Sequence, residues 1–268
     1  MTEIINTFMD SVKRPILYRN IIITTTLNDI KTKYAGSILG YFWLLFFPVL
    51  FLSMYAFVYI MIFKVRLNML SPYEYVLVIF SGLIPFLSFS ESLGRGVQAV
   101  TANANLIKNT LFPIELIPIQ ITLSSQVLQL VGFLGITVIL LLLNKLDITI
   151  FLLPIVWILQ IIFTIGILWI LSALNVFFRD ISNIIPIIVL MLMMISPIAY
   201  TEDMIPENLR VILHLNPLYY LIILYQKILI FGQFDTKLFF SFLLIAIFHY
   251  FIGYYIFTRL KDVFSDYV

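Results

Sequence analysis

The chain of 268 residues contains no cysteine. That excludes a disulfide framework, a thiol nucleophile and a thiolate metal site. Charge is scarce too: Asp, Glu, Lys and Arg make up 11% of the residues, and the net charge is only +2. So small a positive balance leaves no electrostatic footprint for nucleic acid. No G-x-x-x-x-G-K-[ST] phosphate loop is present, and no H-E-x-x-H. Gly94-Arg95-Gly96 starts like a dinucleotide fingerprint but lacks its third glycine. The two histidines, His214 and His249, are distant in sequence. His249, beside Tyr250 and Tyr254, suits hydrogen-bonded packing better than metal binding, and His214 suits an interface. No catalytic residue, metal site or cofactor is therefore expected on this chain. The first 33 residues lack an apolar core followed by a small-residue cleavage site, so no secretory leader is expected.

What is abundant is apolar length. Counting only Asp, Glu, Lys and Arg as breaks, uncharged runs cover 34–63, 75–90, 116–144, 148–178, 181–201, 211–226 and 238–258. The mean hydropathy is +1.07. A bilayer core about 30 Å thick is crossed by roughly 20 apolar helical residues. Backbone polar groups in lipid must be satisfied within helices or a closed barrel, and the alternation of barrel strands is missing here. The fold class is an all-α polytopic membrane protein.

Seven runs give six expected spans: 38–63, 74–92, 117–143, 150–174, 183–200 and 238–258. The run at 211–226 is short and interrupted by Asn216-Pro217, which frees backbone groups that lipid cannot satisfy. Residues 200–226 are expected to form a re-entrant or interfacial helical hairpin between spans five and six. Six spans put both termini on one side. With the N-terminus inside, inner segments carry ten Lys and Arg and outer segments six, which favours cytoplasmic termini. Residues 1–37 then form a cytoplasmic leader, 38–258 the membrane region and 259–268 a cytoplasmic tail, all one domain. In the leader, Ile16, Asn20, Ile23, Leu27, Ile30 and Tyr34 recur at helical spacing and predict an amphipathic helix in the membrane interface. Gly36 and Gly40 mark the bend into the first span.

The spans carry almost no ionisable groups. Ion-coupled carriers and proton pumps place such groups at membrane depth, and no internal repeat supports an inverted-repeat carrier. A conduit driven by a partner protein fits better.

Several segments, taken in order, resemble the membrane subunit of ABC exporters of lipid-linked polysaccharide such as O-antigen. They are Asp29 to Trp43 (DIKTKYAGSILGYFW), Gly82-Leu83-Ile84-Pro85-Phe86 with Phe89 and Ser90, and Asn105 to Pro113 (NLIKNTLFP). Asn175 to Ile181 (NVFFRDI), Ser196 to Tyr200 (SPIAY), Ile205-Pro206 and Asn216-Pro217 complete the set. The resemblance implies a homodimer in the cytoplasmic (inner) membrane, with two cytoplasmic ATPase subunits that hold ATP and Mg. It also implies that a loop helix at 103–112 docks on the ATPase. Asn103, Asn105, Lys108 and Asn109 would supply its polar contacts, and Leu106, Ile107, Leu111 and Phe112 would fill an apolar groove. Without the resemblance, the same helix would simply pack on its own protein. Arg179-Asp180 is either a solvated pair between spans or, as the resemblance implies, a latch near the ATPase.

Tyr41, Tyr55 and Tyr59 share one helical stripe of the first span. Tyrosine can stack on sugar rings and donate a hydrogen bond, so these are channel candidates, although belts at the membrane surface also use it. Capsule or teichoic acid would be exported by the same mechanism. A membrane transferase acting on a lipid-linked sugar is the remaining alternative. It would need acidic residues, for which Glu202, Asp203 and Glu207 are the candidates.

Overall fold

The structure, a computed structural model, describes residues 2–62, 71–109, 112–200, 206–207 and 210–267. Every regular element among them is helical. They are α1 (Thr2–Leu17), α2 (Arg19–Tyr34), α3 (Trp43–Ala56), α4 (Pro72–Gly96), α5 (Ala104–Asn109) and α6 (Leu116–Leu142). Then follow α7 (Leu153–Phe177), α8 (Ile181–Ile195), α9 (Arg210–Leu215), α10 (Pro217–Leu229), α11 (Thr236–Leu260) and α12 (Phe264–Tyr267). Among the described residues, five stretches are long and apolar enough to cross a membrane: Gly40–Tyr59, Glu74–Gly96, Leu116–Leu142, Ile148–Phe177 and Thr236–Val263.

The stretch expected as a fifth span at 183–200 is a shorter helix. α8 has 15 residues, or about 22 Å at 1.5 Å per residue. Pro197 explains the stop, because a proline pushes the residue before it out of the α region. Ser196 is indeed extended, with ψ 140.

α4 is the central helix, with Leu83, Ile84, Phe86 and Phe89 buried among α6, α7, α8 and α10. α7 and α11 form the tightest pair, meeting through Gly166 and Gly253. α10 has 13 residues and is unusually deep for so short a helix: Leu221, Ile222, Leu224 and Tyr225 are fully buried. Asn216 caps it by accepting the Leu218 N–H at 3.0 Å, while its own amide donates to Ser196 Oγ at 2.9 Å.

A buried polar cluster ties α10 to the long helices. Gln129 of α6 and Gln160 of α7 exchange amide hydrogen bonds at 2.7 and 2.9 Å. Tyr225 of α10 donates to Gln160 Oε1 at 2.8 Å, and Gln160 Nε2 also donates to the Pro85 carbonyl of α4 at 3.0 Å. All three side chains are buried.

The ends of the bundle are closed by local chemistry. At one end Ser71 and Glu74 form a capping box with Pro72 at the first helical position, and Lys145 pairs with Glu74. α6 ends there in a Schellman turn, with Asn144 at φ 54 and the Lys145 N–H donating to the Leu140 carbonyl at 2.9 Å. Asp235 caps α11 at the same end, and the hydrogen bond from Lys227 holds its carboxyl below the usual range.

At the opposite end, here called the α5 end, the leader is two helices rather than one. Its inward stripe is Ile22, Thr26, Asp29 and Lys33. The first two are buried, Asp29 accepts two bonds from Arg95 at 2.7 Å, and Lys33 pairs with Glu91. The apolar residues that predicted an interface helix are left outside, with Ile16, Ile23 and Leu27 exposed. Gly36 and Gly40 adopt φ +76 and +50, the left-handed region that glycine enters without strain, as the chain turns into α3. A partly exposed pair in which one guanidinium nitrogen donates to both carboxylate oxygens contributes on the order of 1 kcal/mol. Arg95→Ala is therefore expected to speed amide exchange across α2 by roughly three- to tenfold, with α4 and α6 unchanged. Exchange mass spectrometry in nanodiscs measures it, and uniform exchange across all helices would show that the clip does not hold α2.

Candidate functional site

The segment beyond α4 is anchored by burial. Val97, Ala99 and Val100 are almost inaccessible, and Asn103 turns back to donate to the Ala99 carbonyl at 2.8 Å. α5 follows over Ala104–Asn109, residues 110–111 lie outside the described residues, and Phe112, the last position of the helix expected at 103–112, is not helical. Leu106 and Phe112 pack with Ile114 on Ala99, Ile117 and Ile121 of their own chain. Asn105 and Lys108 face outward. Leu111 lies outside the described residues, as do the side chains of Ile107 and Asn109.

The loop between α7 and α8 lies against this segment. Asn175, 2% exposed, donates to Thr101 Oγ1 at 3.4 Å and accepts the Ser182 N–H at 3.2 Å. Arg179 and Asp180 are both exposed, and the Arg179 carbonyl accepts from Ser182 Oγ at 2.8 Å. Gln98, Thr101, Asn175, Arg179 and Ser182 are among the residues lining a cleft of about 420 Å³ between the two segments. Asn103, Asn105, Lys108 and Arg179 thus belong to one polar end face.

The tyrosine stripe is only partly brought together. Tyr55 and Tyr59 stack with ring centroids 5.7 Å apart, on the continuation of α3 through the π-helical turn Phe57–Ile62. Below them Phe47, Phe51 and Tyr55 continue the ladder at 6.0 and 5.7 Å. Tyr59 also reaches within electrostatic range of Tyr75 and Tyr200. Tyr41 stands apart, exposed and tilted against Tyr34 at 5.5 Å. The stripe of tyrosines alone missed Phe47 and Phe51, although aromatics at 47, 51, 55 and 59 follow the i, i+4 rule. Tyr75 comes from α4 and Tyr200 from the non-helical stretch after α8, and neither left a local signal.

Of the acidic alternative, Glu207 is exposed, and Glu202 and Asp203 lie outside the described residues. Among the described residues no three His, Cys, Asp or Glu gather as a metal site would require.

The described residues form a helical bundle with a polar end face around the α4–α6 connection, and residues 21–230 match the family described as ABC-2 type transporter. The chain belongs to that family. It is 30% identical over 257 residues to an O-antigen export system permease protein RfbA of Klebsiella pneumoniae, covering 92% of this chain and 94% of the relative. A second protein of that description from the same organism matches to the same extent. The RfbA permease of Myxococcus xanthus is 26% identical over 218 residues, 79% of this chain and 80% of the relative.

Proposed function

We propose that this chain is the permease subunit of an exporter that moves lipid-linked polysaccharide, O-antigen first among them, across the inner membrane. ATP is hydrolysed, with Mg, on a separate cytoplasmic subunit present in two copies, and the permease works as a homodimer. The α5 end is cytoplasmic in this reading, and both termini with it. α8 and residues 196–200 form the fifth of six spans. α9 and α10 form the re-entrant hairpin, supported by the burial of α10 and by its amide-capped start. α2 lies in the membrane interface with Ile23 and Leu27 toward lipid. The aromatic ladder from Phe47 to Tyr59 offers flat faces and hydroxyls to a passing glycan. Apolar faces on α3 and α8, including Leu50, Met54, Ile187 and Met191, are open to lipid or a second copy.

One observation carries the coupling assignment. Asn105 and Lys108 face outward from a segment whose described apolar side chains, Leu106 and Phe112, are already engaged with their own chain. Among the described side chains, what remains for an ATPase to recognise is polar and basic, with Arg179 beside it. Because the chain lacks cysteine, Asn105→Cys gives a single reactive thiol. It is expected to cross-link to the ATPase in membranes. Lys108→Glu should lower both ATPase co-purification and surface glycan several-fold without changing the amount of permease. Wild-type cross-linking and export in Lys108→Glu would move the docking face elsewhere.

A further inference from the structure

We propose that Glu115 is the positioning residue that holds the 99–112 segment at a fixed angle to the membrane helices, so that a push on it moves α1, α7 and α11 together. The proposal rests on the reading that this segment docks on the ATPase. Glu115 is only 2% exposed, and a carboxylate so buried is costly unless it is paired. It stands between Pro113-Ile114 and the start of α6, directly after the segment in question. Arg14 of α1 pairs with its carboxylate, and Lys261, just beyond α11, approaches it at 3.9 Å. Its backbone carbonyl accepts the indole N–H of Trp169 in α7 at 3.0 Å. Contacts from α1, α7 and the end of α11 therefore converge on one residue at the head of α6.

The same place is braced by apolar contacts. Phe264 is fully buried in a cluster that includes Val100 and Leu116, with Phe112 and Ile114 packed against it. Its ring lies 5.3 Å from Phe257 and 6.3 Å from Phe177, and Tyr267 meets Phe177 edge-on at 5.0 Å. Phe177 closes α7, two residues before Arg179. α1 in turn is held to α11 by the Tyr250 hydroxyl, which donates to the Ser11 carbonyl at 2.8 Å. Phe264 thus backs the segment from behind, residues 8–17 are tied to α11 and to Glu115, and Glu115 is the charged joint between them. A loosely held segment would rotate under load. One clamped on three sides transmits the displacement.

Glu115→Gln keeps the shape and an oxygen that Arg14 can still reach, but removes the charge. In the full chain in nanodiscs, amide exchange over 99–114 and 261–267 is expected to rise together about tenfold, with the interiors of α4, α7 and α10 unchanged. In cells, the ATPase should still cross-link to Asn105→Cys and hydrolyse ATP, while surface glycan falls several-fold: hydrolysis without export. Arg14→Gln should behave alike, and the double variant should be no worse than either single one. Lys261→Gln, at the longer contact, should shift exchange in the same direction by less, and it tests the brace if Glu115→Gln fails to accumulate. Unchanged exchange in both segments, uniform loosening of the whole bundle, additive single variants or wild-type export would each overturn the proposal. Absence of the Asn105→Cys cross-link in the otherwise wild-type chain would instead refute the docking reading itself.

Discussion

Gly253→Val is expected to abolish accumulation of the folded protein. A Cβ at Gly253 would lie 2.1 Å from the Gly166 carbonyl oxygen, and one at Gly166 would lie 2.5 Å from the backbone of His249. These obstacles are main chain, so no rotamer change relieves them, and α7 and α11 must separate. Overpacking a core costs about 1–3 kcal/mol when side chains can move, and here they are not what blocks the way. Membrane helices gain their association from close backbone approach at small residues, so the loss falls on the tightest pair in the bundle. Gly135→Ala is the control. Its Cβ would meet nothing within 4 Å, and alanine favours helix over glycine by about 1 kcal/mol. Immunoblotting of membranes and thermal unfolding in detergent measure both. Normal levels of Gly253→Val would mean that the α7–α11 contact does not govern the fold.

Gln160→Leu should be the most destabilising of the polar substitutions in the core. It strips the Pro85 carbonyl of the Gln160 hydrogen bond, removes the donor to Gln129 Oε1 and the acceptor of the Tyr225 hydroxyl, and leaves Gln129 and Tyr225 only their mutual bond at 3.1 Å. Each buried group so abandoned costs about 1–3 kcal/mol, although measured interhelical hydrogen bonds in membranes average nearer 0.6 kcal/mol. Tyr225→Phe should cost less, because the reciprocal Gln129–Gln160 pair survives. Equilibrium unfolding in mixed micelles ranks the two. If Gln160→Leu proved as stable as Tyr225→Phe, the four-helix junction would owe its position to apolar packing alone.

The sequence made the long helices plain because charge-free length is a direct consequence of the bilayer's thickness. The unusual status of 211–226 was visible for a similar reason: Asn216-Pro217 frees backbone groups, and α10 proves to be short and buried. Other features left no comparable trace. Gln129 and Gln160 vanish in a count that treats only charged residues as breaks, yet they join α4, α6, α7 and α10. In the leader, the apolar stripe predicted a helix but not its docking face, because α2 uses Ile22 and Thr26 followed by two charged residues whose partners lie 66 and 58 positions away. Leu106 and Phe112 looked available to a partner, and the fold engages them with Ile117 and Ile121. Glu115 gave no local signal, since Arg14 and Lys261 reach it from opposite ends of the chain.

The chemistry of the α10 junction also bears on membrane voltage. Its members are two carboxamides, a phenol and a carbonyl, all without formal charge. A potential of 100 mV does about 2.3 kcal/mol of work on each elementary charge carried across the bilayer. Repacking an uncharged junction of this kind displaces no such charge, so the electric field neither drives nor opposes it. The field would act instead on whatever charge a cargo brings with it.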